Sequence, residues 1–166
     1  MDLYLVRHAI AEPRGSASWP DDSKRPLTPT GSERFRAAAR GLRRLEVEID
    51  AMLASPYVRA WHTAEILSKE AAWPTPEELP ALEPSTSPRE CLDVLRDRRE
   101  STLALVGHQP QLSKLASLLL AGDERSLRLE LKKGAAMCLR FEGKPEAGNA
   151  ALRWSMSPRI LGSLGR

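Results

Sequence analysis

Two histidines that each lie just beyond a short apolar run are the residues of this 166-residue chain best suited to chemistry. His8 follows the run at residues 3–6, and His108 follows the run at residues 102–106. Apolar runs of this length that are rich in strand formers are typical of buried β-strands. Because ligands of open α/β sheets bind at the carboxyl ends of the strands, we expect both imidazoles to lie at one edge of the sheet.

Two arginines accompany these histidines. Arg7 precedes His8, and Arg59 lies in the first turn of a predicted helix that follows an apolar run at residues 51–54. Two guanidinium groups and two imidazoles suit a phosphoryl group, because a guanidinium binds anionic oxygens in pairs. A metal site is the competing interpretation of the histidines, but the arginines would repel a cation and no HxH or HExxH spacing occurs. On Arg7 and His8 alone, a surface loop with a solvated charge pair is an equally good interpretation.

The spacing of apolar residues predicts four helices. The first follows a capping box in which Thr30 caps the helix and Glu33 reaches back to it. The second spans residues 57–72, the third begins at Ser87, and the fourth ends at Gly122. Strands are predicted at residues 3–6, 51–54, 102–106, 127–131, 136–141 and 151–156, with residues 79–82 as a further candidate.

The alternation of strands and helices predicts an α/β fold, a three-layer α/β/α sandwich with a mainly parallel central sheet. The last strands are candidates for antiparallel pairing at one edge of that sheet. With 166 residues, the chain is expected to form a single domain over residues 1–166.

Composition excludes several classes of protein. The 25 basic and 22 acidic residues are well mixed, so no basic tail indicates binding to nucleic acid or to a membrane. The apolar N-terminal run is too short for a signal peptide, and no segment is long enough to span a bilayer. Cys91 and Cys138 show no CxxC spacing, which favours reduced thiols and a cytoplasmic location, with Cys91 on the inner face of its helix. Neither is followed six residues later by arginine, which argues against a cysteine phosphatase.

Several motifs occur together and in order along the chain. They are RH at residues 7–8, SPxxRAxxTAE at 55–65 and VGH at 106–108. In these motifs the sequence resembles the histidine phosphatase superfamily, also called phosphoglycerate mutase-like. It is most similar to the short phosphohistidine phosphatases of the SixA type, through VRHA at 6–9, RPLTxxG at 25–31 and GHxP at 107–110. Ala9 replaces the glycine of the wider family, a departure that many short members share.

This resemblance implies a mechanism and a set of site residues. His8 would attack phosphorus and form a covalent phosphohistidine intermediate that water then hydrolyses. Arg7, Arg59 and His108 would bind the phosphoryl oxygens and stabilise the transition state, and the two arginines would help to keep His8 neutral. No cofactor and no metal are implied.

The general acid is a separate question. Larger members of the family carry an acidic residue after the third strand, and Glu83 stands at about that place. An exposed loop carboxylate is an equally good interpretation of Glu83, and Glu12, Asp21 and Asp22 are further candidates. A phosphohistidine substrate reduces the need for an acid, because its P–N bond breaks more readily than the P–O bond of an ester.

The substrate is predicted from a missing segment. Between Arg59 and His108 lie 48 residues, which two helices and one strand occupy, whereas larger members insert a helical cap there. The site should therefore be shallow and open and suit a phosphohistidine-bearing signalling or phosphocarrier protein. The alternatives are a small-molecule phosphomonoesterase, including a pyrophosphatase-like hydrolase, and a non-catalytic phosphoprotein-binding module. A mutase is disfavoured because it needs the cap.

Two polar residues near these motifs are interpreted structurally. His62 lies on the second helix and is expected to point outward or to pack in part. Gln109 follows His108, and a structural role at the start of a helix is favoured over a role in binding phosphate.

Overall fold

The computed structural model describes all 166 residues and contains a six-stranded sheet with helices on both faces. The strand order is β3-β2-β4-β1-β5-β6. The strands are β1 (Asp2–Arg7), β2 (Ala51–Ala54), β3 (Glu77–Glu78), β4 (Thr102–Gly107), β5 (Ala136–Arg140) and β6 (Ala151–Met156). The first four strands pair in parallel, and β5 and β6 are antiparallel to their neighbours at one edge. The predicted α/β sandwich is confirmed, including its antiparallel edge.

Five helices cover the two faces of this sheet. The third begins after the cap residue Ser87, and the fourth ends at Gly122, whose φ of +80° is the left-handed conformation that ends many helices. Both ends agree with the sequence prediction. The helices are α1 (Pro29–Arg44), α2 (Val58–Ala71), α3 (Pro88–Asp97), α4 (Gln111–Ala121) and α5 (Pro158–Leu164).

Side-chain alternation along β1 builds the core on both faces, since successive residues of a strand point to opposite sides. Tyr4 and Val6 pack in a cluster with residues of α1, α2 and α5. Leu3 and Leu5 pack in a second cluster with residues of α3 and α4. The run at residues 3–6 is therefore apolar throughout because β1 is buried on both faces.

Three local predictions were wrong. Residues 127–131 form no strand, and the carbonyl of Leu131 accepts a hydrogen bond from the Arg7 side chain instead. Residues 79–82 form a 3₁₀ turn from Pro80, which has no N–H to donate to a sheet. Thr28, not Thr30, caps α1: its hydroxyl accepts from the N–H of Gly31, and proline at the first helical position suits that start.

The helix α5 was not predicted at all. It packs against α1 through two glycines, Gly41 and Gly165. A Cβ at Gly41 would collide with the carbonyl of Leu161, and a Cβ at Gly165 would collide with the carbonyl of Ala37. The seven residues of α5 are too few for a reliable helical period, and this close backbone approach to α1 is a tertiary feature.

Candidate active site

The register between β1 and β4 brings the two histidines together. Arg7 pairs with Gly107, and the backbone N–H of His8 donates to the carbonyl of Gly107 over 2.9 Å. His8 and His108 therefore leave the sheet side by side, with ring centroids 5.1 Å apart. Their side chains lie at the carboxyl ends of the strands, as the sequence predicted.

Both rings are buried, with residue exposures of 5% for His8 and 1% for His108. The Tyr57 ring packs edge-on against His108 at 5.2 Å, and the guanidinium of Arg59 lies 5.0 Å from the centre of the Tyr57 ring. None of the four main cavities of the molecule is lined by His8, Arg59 or His108. Both rings are therefore less open to solvent than the missing cap suggested.

His8 is held as one neutral tautomer. Its Nδ1 lies 2.7 Å from the carbonyl oxygen of Ala9, and since a carbonyl only accepts, Nδ1 carries the proton and Nε2 the lone pair. The pKa of His8 is lowered to about 3, chiefly by burial and to a smaller extent by the charges of Arg59 and Arg7, and the bond to Ala9 only partly opposes these effects. Burial therefore contributes more than the arginines, which were predicted to help to keep His8 neutral.

His108 is neutral for the same reason. The pKa of His108 is lowered to about 2, chiefly by burial, and the charge of Arg59 contributes to that decrease. Its Nε2 lies 2.9 Å from the hydroxyl of Ser55, the residue that follows β2. Its Nδ1 is buried and has no hydrogen-bond partner in the protein.

Arg59 is fixed by the loop between β1 and α1. Its Nη1 donates to the carbonyl of Asp22 over 2.7 Å, and its Nη2 donates to the Asp22 carboxylate over 3.0 Å. The same carboxylate accepts from Nε of Arg25 over 3.0 Å, and Arg25 is itself only 8% exposed. One half-buried carboxylate therefore holds two buried guanidinium groups in place.

The site contains three buried nitrogen atoms without a hydrogen-bond partner: Nε of Arg7, Nε of Arg59 and Nδ1 of His108. Arg7 is anchored through Nη1, which donates to the carbonyl of Leu131 over 2.7 Å. An unpartnered buried polar group costs about 1–3 kcal/mol, so such groups rarely gather without a ligand. Two cationic guanidinium groups and an imidazole that can donate suit a tetrahedral anion.

Glu83 and Asp22, two of the candidate general acids, differ in the partners of their carboxylates. Glu83 lies half-buried just after the turn at Pro80–Leu82, and its carboxylate makes no hydrogen bond or ion pair. Burial alone would raise the pKa of Asp22, but the hydrogen bond to Arg25 and the charge of Arg59 outweigh it and hold that pKa below its usual value. Asp22 is therefore ionised at neutral pH and suits the role of counter-charge better than that of acid.

Other polar residues singled out in the sequence lie outside this cluster. His62 is exposed on α2, and Gln109 accepts hydrogen bonds from Ser113 in the first turn of α4. Cys91 is fully buried, accepts from Gln111, and has its pKa raised to about 12 by burial. His62 and Cys91 agree with the sequence interpretation. Gln109 also donates through Nε2 to the carbonyl of Leu131, which anchors Arg7.

Sequence reasoning missed the roles of Ser55, Asp22 and Thr63 around the cluster. Thr63 accepts from the backbone N–H of Ala9 and donates to the carbonyl of Arg59, so it ties the loop after β1 to α2. Ser55 and Thr63 do stand within the motif at 55–65, which was the available signal. No group of three or more His, Cys, Asp or Glu side chains is placed to bind a metal ion, and none of the helices is long and apolar enough to cross a membrane.

Comparison with known proteins agrees with this geometry. Residues 3–83 match the model of the histidine phosphatase superfamily, branch 1. An uncharacterised protein of Picosynechococcus sp. is 38% identical over 144 residues, 84% of this chain and 85% of that protein. The phosphohistidine phosphatase SixA of Escherichia coli K12 is 28% identical over 162 residues, 95% of this chain and 94% of that protein.

Solved structures show the same fold. The structure of the protein histidine phosphatase SixA complexed with tungstate superimposes with a TM-score of 0.83 at 28% identity, over 97% of this chain and 99% of that one. A putative alpha-ribazole-5'-P phosphatase of Escherichia coli K-12 shares the fold alone, with a TM-score of 0.74 at 18% identity over 95% and 98% of the two chains. This chain belongs to the histidine phosphatase superfamily and has the SixA-type fold, and its similarities support phosphatase activity.

Proposed function

We propose that this protein removes phosphate from phosphohistidine on a partner protein through a covalent intermediate on His8. The observation that carries the proposal is the set of three unpartnered buried nitrogens, on Arg7, Arg59 and His108, beside a neutral His8 whose Nε2 holds the lone pair. A phosphoryl group offers these nitrogens three acceptor oxygens. The tungstate complex of SixA adds support, because tungstate is a tetrahedral oxyanion like phosphate.

The reaction has two displacements. In the first, the Nε2 lone pair of His8 forms a bond to phosphorus while the P–N bond of the substrate breaks and its electrons return to the substrate imidazole. A proton on that imidazole lets it leave as a neutral ring. In the second, water attacks phosphorus, the bond to Nε2 breaks, and inorganic phosphate and neutral His8 are released. Arg7 and Arg59 stabilise the charge on the equatorial oxygens in both steps.

The hydrogen bond between Ser55 and His108 sets how His108 acts. If the Ser55 hydroxyl donates to Nε2, then Nδ1 carries the proton and becomes a donor to a phosphoryl oxygen. Burial keeps His108 neutral, so it contributes a hydrogen bond rather than a full charge. Ser55 is thus a positioning residue for this donor.

Glu83 is proposed as the residue that supplies the leaving-group proton. It follows the turn that packs beside the end of β4, where the carbonyl of Leu82 lies close to Gly107. Its carboxylate is not committed to any other partner. A variant with glutamine at this position is expected to slow hydrolysis of phosphate esters more than hydrolysis of phosphohistidine, because an imidazole leaves more readily than an alkoxide.

A protein substrate is favoured by what lies between Arg59 and His108. That segment forms α2, β3, a 3₁₀ turn, α3 and β4, which all belong to the sandwich, and it leaves no insertion to enclose a small molecule. The similarity to the Escherichia coli phosphohistidine phosphatase over 95% of the chain supports the same substrate class. A signalling or phosphocarrier protein is the partner we propose.

The test is phosphate release from a phosphohistidine-bearing protein, with small phosphate esters measured in parallel. Fast release from the protein is expected, and His8→Ala should lower it by about a thousandfold or more, because no other group replaces the nucleophile. Brisk ester hydrolysis beside slow release from the protein would instead indicate a small-molecule phosphomonoesterase. Tight binding of the phosphoprotein without turnover of either substrate would indicate a binding module.

A further inference from the structure

A groove of about 400 Å³ lies against the backbone of the nucleophile's loop and is not part of the histidine site. It runs between α1 and α5, and its lining begins at Ala9 and Ile10, directly after His8. Gly134 in its wall donates its backbone N–H to the carbonyls of Arg7 and His8. A ligand in this groove would therefore contact the two residues that directly follow the nucleophile His8.

The floor of this groove is apolar. Phe35, Ala37 and Pro158 line it, and none of the buried polar atoms that lack a partner belongs to a lining residue. Recognition of a small anion requires fixed, desolvated donors, which this floor does not offer. An apolar side chain is the group that such a floor binds.

The rim of the groove is basic. Four cationic residues line it and no acidic residue does. All four are exposed, and none makes an ion pair or a side-chain hydrogen bond within the protein: Arg34, Lys133, Arg159 and Arg166. In contrast, Arg36 and Arg40 on the same helix α1 both lie within 4.0 Å of the Glu70 carboxylate. Positive charge is therefore left uncompensated around this groove, which complements a ligand with several negative charges.

We propose that this groove, hereafter the basic groove, binds an acidic segment of the phosphoprotein that carries an apolar side chain close to its phosphohistidine. The apolar side chain occupies the floor between α1 and α5, and the carboxylates face Arg34, Lys133 and Arg159. The inference presupposes the proposed phosphatase activity and adds the feature by which the enzyme selects among phosphohistidine proteins. Because the phosphoryl group that the histidine site binds is common to all phosphohistidine proteins, selection among them needs a surface outside that site.

The charge part is tested with two peptides that each carry one phosphohistidine, one flanked by glutamates and a leucine and the other with glutamine replacing each glutamate. The groove variant Arg34→Gln/Lys133→Gln/Arg159→Gln should reduce the preference in kcat/KM for the acidic peptide by about tenfold, since exposed charges each contribute little. The loss should shrink at high salt. The matched control Arg43→Gln/Lys144→Gln/Arg153→Gln removes the same charge from exposed residues outside the groove and should keep the preference.

The apolar part is tested by filling the floor. A Cβ at Gly162 would meet only the Cβ of Ala37 at 3.9 Å, so we expect Gly162→Leu to fold and to place its side chain in the groove. This variant should slow the acidic peptide with leucine and spare an acidic peptide with serine in its place. Thermal unfolding checks that each variant is folded.

Different results overturn the two proposals. Equal turnover of the acidic and glutamine peptides by the unaltered protein, or equal losses in the groove and control variants, would overturn the basic groove as a docking site. Failure to hydrolyse free phosphohistidine and both peptides would instead overturn the proposed function.

Discussion

The histidine site and the basic groove are neighbours that organise positive charge in opposite ways. In the histidine site, Arg59 is 3% exposed and its guanidinium is held by two hydrogen bonds to Asp22. In the basic groove, Arg34 and Arg159 are exposed and have no partner in the protein. One region fixes its cations before a ligand arrives, and the other leaves them free to move.

This difference separates the tasks that each region can perform. Buried cations with fixed partners act at close range and with little screening, so they can hold a phosphoryl group in a single geometry. Exposed cations act through a summed field that salt screens within about 10 Å, so they can select a class of acidic surface but not orient one group. We therefore assign the proposed catalysis to the first region and the proposed selection of the partner to the second.

The largest expected effect is on the pH dependence of the free energy of unfolding, which reports on the buried histidine site. His8 and His108 have pKa values of about 3 and about 2 in the folded protein, against an ordinary value near 6.5. The unfolded chain therefore binds more protons below pH 6.5, and the free energy of unfolding should fall as the pH drops towards 3. Each histidine contributes about 1.4 kcal/mol per pH unit.

Urea unfolding at several pH values measures this effect. The His8→Gln variant should show a shallower fall than the unaltered protein, whereas His62→Gln, which alters an exposed ring on α2, provides the control. Identical slopes in all three proteins would mean that the buried histidines are not neutral and would weaken the comparison.

Removing the charge of Asp22 should disturb the two buried arginines that it pairs. Asp22→Asn leaves the buried guanidinium groups of Arg59 and Arg25 without a counter-charge, which should cost about 1–3 kcal/mol of unfolding free energy. Arg59 would then lose its fixed orientation, and kcat/KM should fall by about tenfold or more. Asp21→Asn is the matched control, because Asp21 is exposed and bonds only Ser23. Equal effects of both changes would contradict a positioning role.

Ser55→Ala should lower activity through its effect on His108, although it also removes a 3.3 Å hydrogen bond from the Tyr57 N–H. Loss of the 2.9 Å contact to Nε2 frees the ring to carry its proton on either nitrogen, so kcat/KM should fall by about tenfold. Ser117→Ala removes another fully buried serine whose hydroxyl donates to the Asp123 carbonyl, and it should lower stability but not activity. Activity of the Ser55→Ala enzyme at the unaltered level would show that Ser55 does not set the tautomer.

A single change in the basic groove should have the smallest effect. Arg159→Gln removes one exposed cation and should lower kcat/KM for an acidic phosphohistidine peptide by about twofold to threefold at low salt. The effect should disappear in 0.5 M salt, at roughly half the Debye length of 0.1 M salt. Persistence of the loss at high salt would mean that Arg159 makes a specific contact and would remove the contrast between the two regions.

The sequence predicted the meeting of the two histidines better than it predicted the local structure. The parallel strands, four of the helices and the meeting of His8 with His108 follow from apolar runs and spacing, and the structure has all of them. Residues 127–131 have a strand-like composition, yet they form no strand. The carbonyl of Leu131 accepts a hydrogen bond from the Arg7 side chain instead. A local pattern contains no information on such a distant partner.

The sequence by itself determined that Arg7, His8, Arg59 and His108 meet, because buried parallel strands can end only at one edge of their sheet. Only the tertiary structure decided the protonation states of the two histidines and the orientation of Arg59. Burial, more than charge, keeps both histidines neutral, and Asp22 orients Arg59 from a loop whose path no periodicity encodes. The basic groove also depends on the tertiary structure, since it exists only where the close packing of α5 on α1 brings cations from three separate segments together.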